Sequence, residues 1–506
     1  MAPGAPRAGG GGLRGRRPGW GGRGGRPGPG PGPRAPTARV AVGIDLGTTN
    51  SAVAVAGQGA EPGAPGPGGP GGAARVLLDA AGRPTTPSVV AYPPGAPAGA
   101  APLVGEAARR QAAVNEAGTF FSAKRLLGRR PGELDNRIFD LVPYEISDDV
   151  KDRDVELVLR APSGRGFGER ERRVRPGEVA AAVLAELKRV AEARLGTPVT
   201  EAVVSVPAYF GTAQREATAA AAEAAGLKVL RIINEPAAAA LAYGYGQAEN
   251  EFVCVFDLGG GTFDVSVLQI GDQVFEVLSS GGDNFVGGDD FDACIVDWLI
   301  RQLGDAHRVQ VQMDPVALHR LREAAELCKT ELSRADEAEV DLPFLTGSAA
   351  GPVDLRATLT RAEFEQMTGL WVDYLKQKLL EVTAGARTAA GEAVPLEAMN
   401  VVLVGGATRM PAVRALVGEV FGREPELGLV NPDEAVALGA AISAAAISGG
   451  ISRRDVILLD ETPDVEDFEL LAQKVEALLA AEGLDAEGLD AGGLAPDAAP
   501  SAPGGR

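Results

Sequence analysis

An α/β protein of two similar lobes facing a cleft is predicted for this chain by three observations. Short apolar runs alternate with helical patterns across residues 39–450. One strand–turn–strand unit occurs twice, each copy with Asp-x-Gly at its turn. A third apolar run ends in a Gly-Gly turn. The bulk properties suit this class: 506 residues, 45% hydrophobic and 23% charged, are enough for several lobes around a sizeable core. The three cysteines, Cys254, Cys294 and Cys328, show no C-x-x-C spacing. That disfavours a zinc site or redox pair and points to a reducing compartment. Two histidines, His307 and His319, leave little room for His-based chemistry. The uncharged run Ala435 to Ile451 is too short and too weakly apolar to span a bilayer, so no membrane association is expected. A net charge of −19 argues against nucleic acid as a partner.

Taken in chain order, the first forty residues hold eight arginines, no acidic residue, 14 Gly and 8 Pro, which predicts disorder. One reading of residues 1–39 is a basic organelle transit peptide for a chloroplast or mitochondrion; scarce Ser and Thr and the lack of an amphipathic pattern count against it. A composition-driven extension and a weak RGG-like RNA-binding segment are the other readings. Val40 to Ile44 is a short strand ending at Asp45-Leu46-Gly47-Thr48-Thr49-Asn50, and Ala52 to Val55 resumes it as a hairpin. Residues 57–74 form a Gly/Pro-rich loop. Glu178 to Leu195 is helical by pattern, with Val179, Val183, Leu187, Val190 and Leu195 on one side. Ala202 to Pro207 reads as a buried strand, and Ala213 to Ala225 as an Ala-rich helix stopped by Gly226. Val253 to Thr262 then repeats the layout of Val42 to Thr49, and Val265 to Leu268 repeats the second strand.

Gly-rich turns let backbone N–H groups approach an anion, and Thr48, Thr49 and Thr262 add hydroxyls. Asp45 and Asp257 would repel a phosphate unless a cation lies between, and Mg²⁺ prefers carboxylate, water and phosphate oxygens. The duplicated turn therefore reads as a Mg-nucleotide site split between two lobes. There is no G-x-x-x-x-G-K-[ST] sequence, which disfavours a P-loop enzyme. The third turn, Val401 to Pro411, contains Gly405 and Gly406, which could admit a base or sugar; it could equally be a plain strand-to-helix turn. Glu326, Lys329 and Ser333 share one face of a helix over Leu321 to Ser333, and spacing alone favours a solvated polar face there.

These residues carry a resemblance. Ile44 to Ser51, Phe256 to Asp264 and Val402 to Pro411 resemble the three signatures of the heat-shock protein 70 (DnaK-like) chaperone family. Phe121 to Leu126, Val206 to Phe210, Arg231 to Pro236, Val286 to Asp292 and Asn431 to Val436 are similar too. The resemblance implies an actin-like ATPase fold, two lobes each with a ribonuclease-H-like core around a nucleotide cleft, closest to the bacterial and organelle branch. It implies lobe I over about 40–236, lobe II over about 237–432, a returning helix 433–450 and a hydrophobic interdomain linker 451–463. It implies ATP/ADP binding, with Asp45 and Asp257 organising Mg²⁺, Glu235 nearby, and Asp264 helping an accompanying K⁺. Gly47, Thr48, Thr49 and Asn50 would hold the phosphates from one lobe, and Gly259, Gly260, Gly261 and Thr262 from the other. Lys124 matches the catalytic lysine, although the sequence alone makes it a helix lysine. Glu326, Lys329 and Ser333 match one wall of the adenosine site, Gly405, Gly406, Arg409 and Asp433 the other, with Gly287 and Gly288 also at the nucleotide. Pro207 and Arg215 match positions that relay nucleotide state. A J-domain co-chaperone and a nucleotide exchange factor are the implied partners.

Two departures from the family pattern are expected near the nucleotide: Ala237 where Thr is usual, and Ala407 where Ser or Gln is usual. After the linker, residues 464–506 contain ten acidic and two basic residues and a doubled Ala-Glu-Gly-Leu-Asp. No β-sandwich peptide-binding domain is expected from them, so unfolded clients would need one supplied, and a truncated gene model is an open alternative. The expected function is an ATP-hydrolysing chaperone; the alternatives are a sugar-kinase-like phosphotransferase and an actin-like filament former on the same superfold.

Overall fold

The computed structural model describes residues 40–57, 74–94, 100–134, 137–147, 154–162, 169–245, 250–271, 274–304, 311, 314–348, 351–426, 428, 430–451 and 457–459. The basic segment 1–39, most of the loop 57–74, linker residues 452–456 and 460–463, and the acidic tail 464–506 lie outside these described residues.

The first half of the chain builds β1 (Val40–Asp45), β2 (Asn50–Ala56), β3 (Ala74–Val76) and β4 (Thr85–Pro87). Smaller strands and one-turn helices follow, including Ala123–Leu126. Then come α1 (Pro176–Leu195), β5 (Val199–Val206), α2 (Thr212–Ala224) and β6 (Lys228–Asn234). The sheet runs β6-β5-β1-β2-β3, with β4 also on β2. Val179, Val183, Leu187 and Val190 turn α1 into its buried face, as the 3.6-residue period requires.

The second half contains α3 (Glu235–Gly244), β7 (Glu251–Leu258), β8 (Phe263–Gly271), β9 (Val274–Asp283), α4 (Gly288–Gln302) and α5 (Pro315–Leu332). It continues with β10 (Glu337–Ser348), β11 (Gly351–Thr360), α6 (Arg361–Gly385), β12 (Met399–Val404), α7 (Pro411–Phe421), α8 (Ala435–Ser448) and β13 (Ile457–Leu459). Its main sheet runs β12-β7-β8-β9-β13. The internal repeat therefore extends beyond the hairpin. In both halves a central strand pairs antiparallel with the next, that one antiparallel with a third, and the central strand parallel with a later one. The register carries the match to single residues: Asp45 faces Ala52 in the first hairpin, and Asp257 faces Asp264 at the equivalent place in the second. At the far edge β13 adds in parallel to β9, Ile457 opposite Val274.

Two alanine-rich helices join the halves. α3 packs on β7 and β8, α8 packs on β1, β2 and β5, and the two helices pack on each other. A Cβ on Gly439 would collide with the Ala238 backbone, and one on Gly43 with the Ala441 backbone. The helices and strands meet there backbone to backbone. Ala237 lies in this contact, fully buried and outside the lining of the cleft, which corrects its expected place near the nucleotide. It belongs to the same buried apolar cluster as the small residues of α3 and α8.

Candidate functional site

The carboxyl ends of β1, β7 and β12 open into one cleft of about 670 Å³, the size of a nucleotide-scale site. Its lining brings together Asp45, Gly47, Thr48, Thr49, Asn50, Lys124, Glu235, Asp257, Gly259, Gly260, Thr262, Gly288, Glu326, Lys329, Ser333, Gly405, Gly406, Arg409 and Asp433. Three residues expected at the nucleotide or its cations do not reach this surface: Gly261, Gly287 and Asp264. Gly261 faces Arg125 and Thr48, Gly287 packs on the backbone of Gly260 and Gly261, and Asp264 is buried behind Asp257.

The two turns are braced differently. At the first, Ser51 and Ser88 share a hydroxyl contact of 2.8 Å; Ser88 Oγ donates to Gly47 O at 2.8 Å, and Gly47 N–H donates to Ser51 Oγ at 3.1 Å. At the second, the first amides of α4 do the work: Gly288 N–H donates to Gly259 O at 3.0 Å and Asp289 N–H to Gly260 O at 2.7 Å. Both arrangements occupy turn carbonyls and leave the cleft lined by groups that can face an anion. The turns also touch. A Cβ on Gly260 would overlap Thr49 Oγ1, and one on Gly261 would overlap the Arg125 guanidinium.

Lys124 sits on the single helical turn Ala123–Leu126, entered through Ser122 in a left-handed conformation (φ 53°). Its Nζ donates to Glu235 Oε1 at 2.5 Å, both side chains buried. Glu235 is placed by the start of α3, immediately after β6. The expected helix lysine is thus a buried, paired cation. Around it stand Asp45, Asp257 and Asp264. Burial pushes the Asp45 carboxyl up to about 7, helped by the nearby charge of Glu235 and opposed by Lys124 and by Ser205 Oγ, which donates to its Oδ1 at 3.0 Å. Asp257 and Asp264 are raised well above the usual carboxylate range by burial and by Glu235. Neither oxygen of Asp264 and not the Thr48 hydroxyl has a hydrogen-bond partner. The carboxyl groups of Asp45, Glu235, Asp257 and Asp264 thus surround one lysine. Such a donor set is short of positive charge, and the carboxylates of Asp45 and Asp257 at the cleft surface suit the oxygen preference of Mg²⁺.

The outer cleft has two polar walls. Lys329 Nζ donates to Asp292 Oδ2 at 2.6 Å and to Gly288 O at 3.0 Å, which ties α5 to α4. Arg409 donates to Asp433 Oδ2 at 2.7 Å and Asn431 Oδ1 at 3.0 Å. Glu326 and Lys329 of α5, with Ser333 at its C-cap, therefore line the cavity, and Glu326 stays exposed there. Ala407 lines the cleft as expected. Pro207 and Arg215 lie beside it: Arg215 donates to Ala208 O at 3.0 Å and Asn234 Oδ1 at 2.7 Å, bridging the end of β5 to the residue before Glu235. Sequence reasoning missed Ser205, Arg125, Asp289 and Asp292. Arg125 falls within the matched stretch Phe121 to Leu126, and Asp289 and Asp292 within Val286 to Asp292, the only signal available for them.

The sequence model of the family described as Hsp70 protein matches residues 41–480. The chain is also similar to "Chaperone protein DnaK" of Akkermansia muciniphila, 45% identical over 429 residues, 83% of this chain and 61% of the relative. It thus spans less than two thirds of the length of that curated relative. The family match covers both hairpins, the lysine turn and both walls of the cleft, and the chain belongs to the Hsp70 family.

Proposed function

We propose that this chain binds ATP with Mg²⁺ between two actin-like lobes, each with a ribonuclease-H-like core, hydrolyses it slowly, and thereby drives a chaperone cycle. The observation that carries this reading is the buried Lys124–Glu235 pair standing among Asp45, Asp257 and Asp264 beneath two anion-ready turns. In this reading Gly47, Thr48, Thr49 and Asn50 hold the phosphates from one side, and Gly259, Gly260, Gly261 and Thr262 from the other. Glu326, Lys329 and Ser333 face the adenosine across from Gly405, Gly406, Arg409 and Asp433. Mg²⁺, when bound, neutralises charge developing on the phosphate oxygens. Lys124 places a fixed positive charge where the terminal phosphate ends and orients the attacking water, and Glu235 holds that lysine in place. K⁺ at Asp264 would relieve the burial of its unpartnered carboxyl. Slow turnover is expected because Asp45 and Asp257, the carboxylates that could take a proton from the attacking water, are committed to Mg²⁺ in this reading.

The relative's name says chaperone, which supports extending the reading to assistance of protein folding, with a J-domain co-chaperone and a nucleotide exchange factor as partner classes. Nothing in the cleft favours a sugar kinase or a filament former. The test is release of phosphate from ATP by the purified chain with Mg²⁺ and with EDTA. Mg²⁺-dependent turnover that glucose or glycerol does not raise supports the reading; no turnover, or turnover that tracks an added sugar, defeats it.

A further inference from the structure

The cation next to Lys124 stands behind the cleft wall rather than in it. Arg125 follows Lys124 on the same helical turn of the first half, and its side chain is 4% exposed. That side chain meets the second half at three places. Its Nε and Nη2 edge packs on Gly261, in the space a Cβ would fill. Its Nη2 pairs with Asp289 Oδ2 at 3.4 Å. Its guanidinium stands 5.6 Å from the centre of the Phe285 ring, which comes from the second half yet packs in the core of the first. Thr48 comes to the same point from the first hairpin: its methyl would also touch a Cβ on Gly261, and its hydroxyl is unpartnered. Thr48, Gly260, Thr262 and Asp289 line the cleft, whereas Arg125 and Gly261 do not. The guanidinium therefore lies one layer back, where the two turns meet.

A buried charge acts through protein over distances at which water and salt would screen it. The charge of Arg125 is only partly met: its one ion pair among the described residues is long, and its Nε has no hydrogen-bond partner. Lys124 is the nearer cation, but Glu235 already holds it, with Asp45, Asp257 and Asp264 around it. That group of charges gives little reason to prefer a more negative ligand. MgATP carries one more negative charge than MgADP, and the two turns are where that charge falls in the ATPase reading. We propose that Arg125 is a positioning residue that selects the triphosphate over the diphosphate. It fixes the second turn against the first and holds a positive charge behind both, without touching the nucleotide. The proposal deepens the ATPase reading and rests on it. Gly261 is what lets the guanidinium come this close, because any side chain there would push it away from the turn.

The test uses the full chain and calorimetric titration with two ligands: MgADP, and the Mg²⁺ complex of β,γ-imido-ATP, whose terminal phosphate is not cleaved. The quantity read is the ratio of the triphosphate affinity to the diphosphate affinity. Arg125→Gln should lower that ratio by about fivefold, and Arg125→Lys, which keeps the charge, should hold it within about twofold of the wild type. A side chain that only held the fold together would weaken both ligands by one factor, and Lys would serve no better than Gln. An unchanged ratio in Arg125→Gln overturns the proposal, as does a ratio in Arg125→Lys as low as that in Arg125→Gln. If Arg125→Gln strands Asp289 and does not fold, the comparison is made in an Asp289→Asn background, where losing the cation leaves no unpaired carboxylate behind. The same fall is expected there, and its absence overturns the proposal. A wild type that binds neither ligand defeats the ATPase reading and this proposal with it, whereas equal losses for the two ligands defeat the proposal alone.

Discussion

The two hairpins share a backbone and differ in almost everything attached to it. The first supplies side-chain donors, Thr48, Thr49 and Asn50, and has its turn braced by two serine hydroxyls. The second is stripped to Gly259, Gly260 and Gly261 and is braced by the amides of α4. Where the first has Asp45 opposite Ala52, the second has two carboxylates face to face, Asp257 and Asp264. The difference shows how a duplicated unit becomes one site. The glycines of one copy make room for the threonines of the other, and the doubled carboxylates of one side call for the cations between them. Symmetric copies would either collide at the turns or leave the cleft without its charge asymmetry.

The largest expected effect strikes what both hairpins share. Lys124→Ala should lower turnover by two orders of magnitude or more while MgATP still binds. It should also destabilise the fold, since removing one partner of a buried ion pair costs roughly 3–5 kcal/mol; quenched-flow hydrolysis and thermal melts check both. Next, Gly260→Ala should sharpen the interlock. Overpacking costs about 1–3 kcal/mol, and adding Thr49→Gly should recover part of the lost melting temperature. A double mutant no better than Gly260→Ala alone would show that the turns do not touch in solution.

The carboxylates give a third contrast. Without Mg²⁺, Asp257→Asn should raise stability at neutral pH, because the buried carboxyl, raised by burial and by Glu235, costs stability as pH climbs above its ordinary range and the amide does not. Asp45→Asn should raise it less, since Asp45 faces Ala52 and accepts from Ser205. Adding Mg²⁺ should stabilise the wild type more than either variant, and calorimetry with and without EDTA reads all six states. The smallest effect is expected for Ser205→Ala. Loss of one hydrogen bond to Asp45 should cost about 1 kcal/mol or less and leave the second hairpin's response to Mg²⁺ unchanged.

Local pattern made the hairpins, α1, α2 and the Gly-Gly turn legible, because strand and helix periods are short-range. By pattern alone the site was legible only on the repeated turns and the Gly-Gly turn; Lys124, Glu235, Glu326, Lys329, Arg409 and Asp433 came from the family resemblance. Lys124 and Glu235 are 111 residues apart, and Ser205 and Asp45 160 apart; no period links them, and their meeting depends on β5, β6 and β1 being neighbours in one sheet. Arg125 was hidden for a second reason: its place is set by a missing side chain at Gly261. Gly287 misled in the opposite direction. Its lack of a side chain serves the packing of α4 on the second turn and not the cleft.

The alanine-lined contact of α3 with α8 behaves as a sliding bearing. Helices that interlock through large side chains have ridges seated in grooves, and turning one against the other forces rotamers to reset. Where Gly439 lies on Ala238 and Gly43 on Ala441, there are no ridges to climb. Pulling the halves apart breaks a continuous backbone contact, whereas rotating them in its plane changes little. That contact should resist separation more than rotation in its plane, so a ligand gripping both turns would act mainly by a torque.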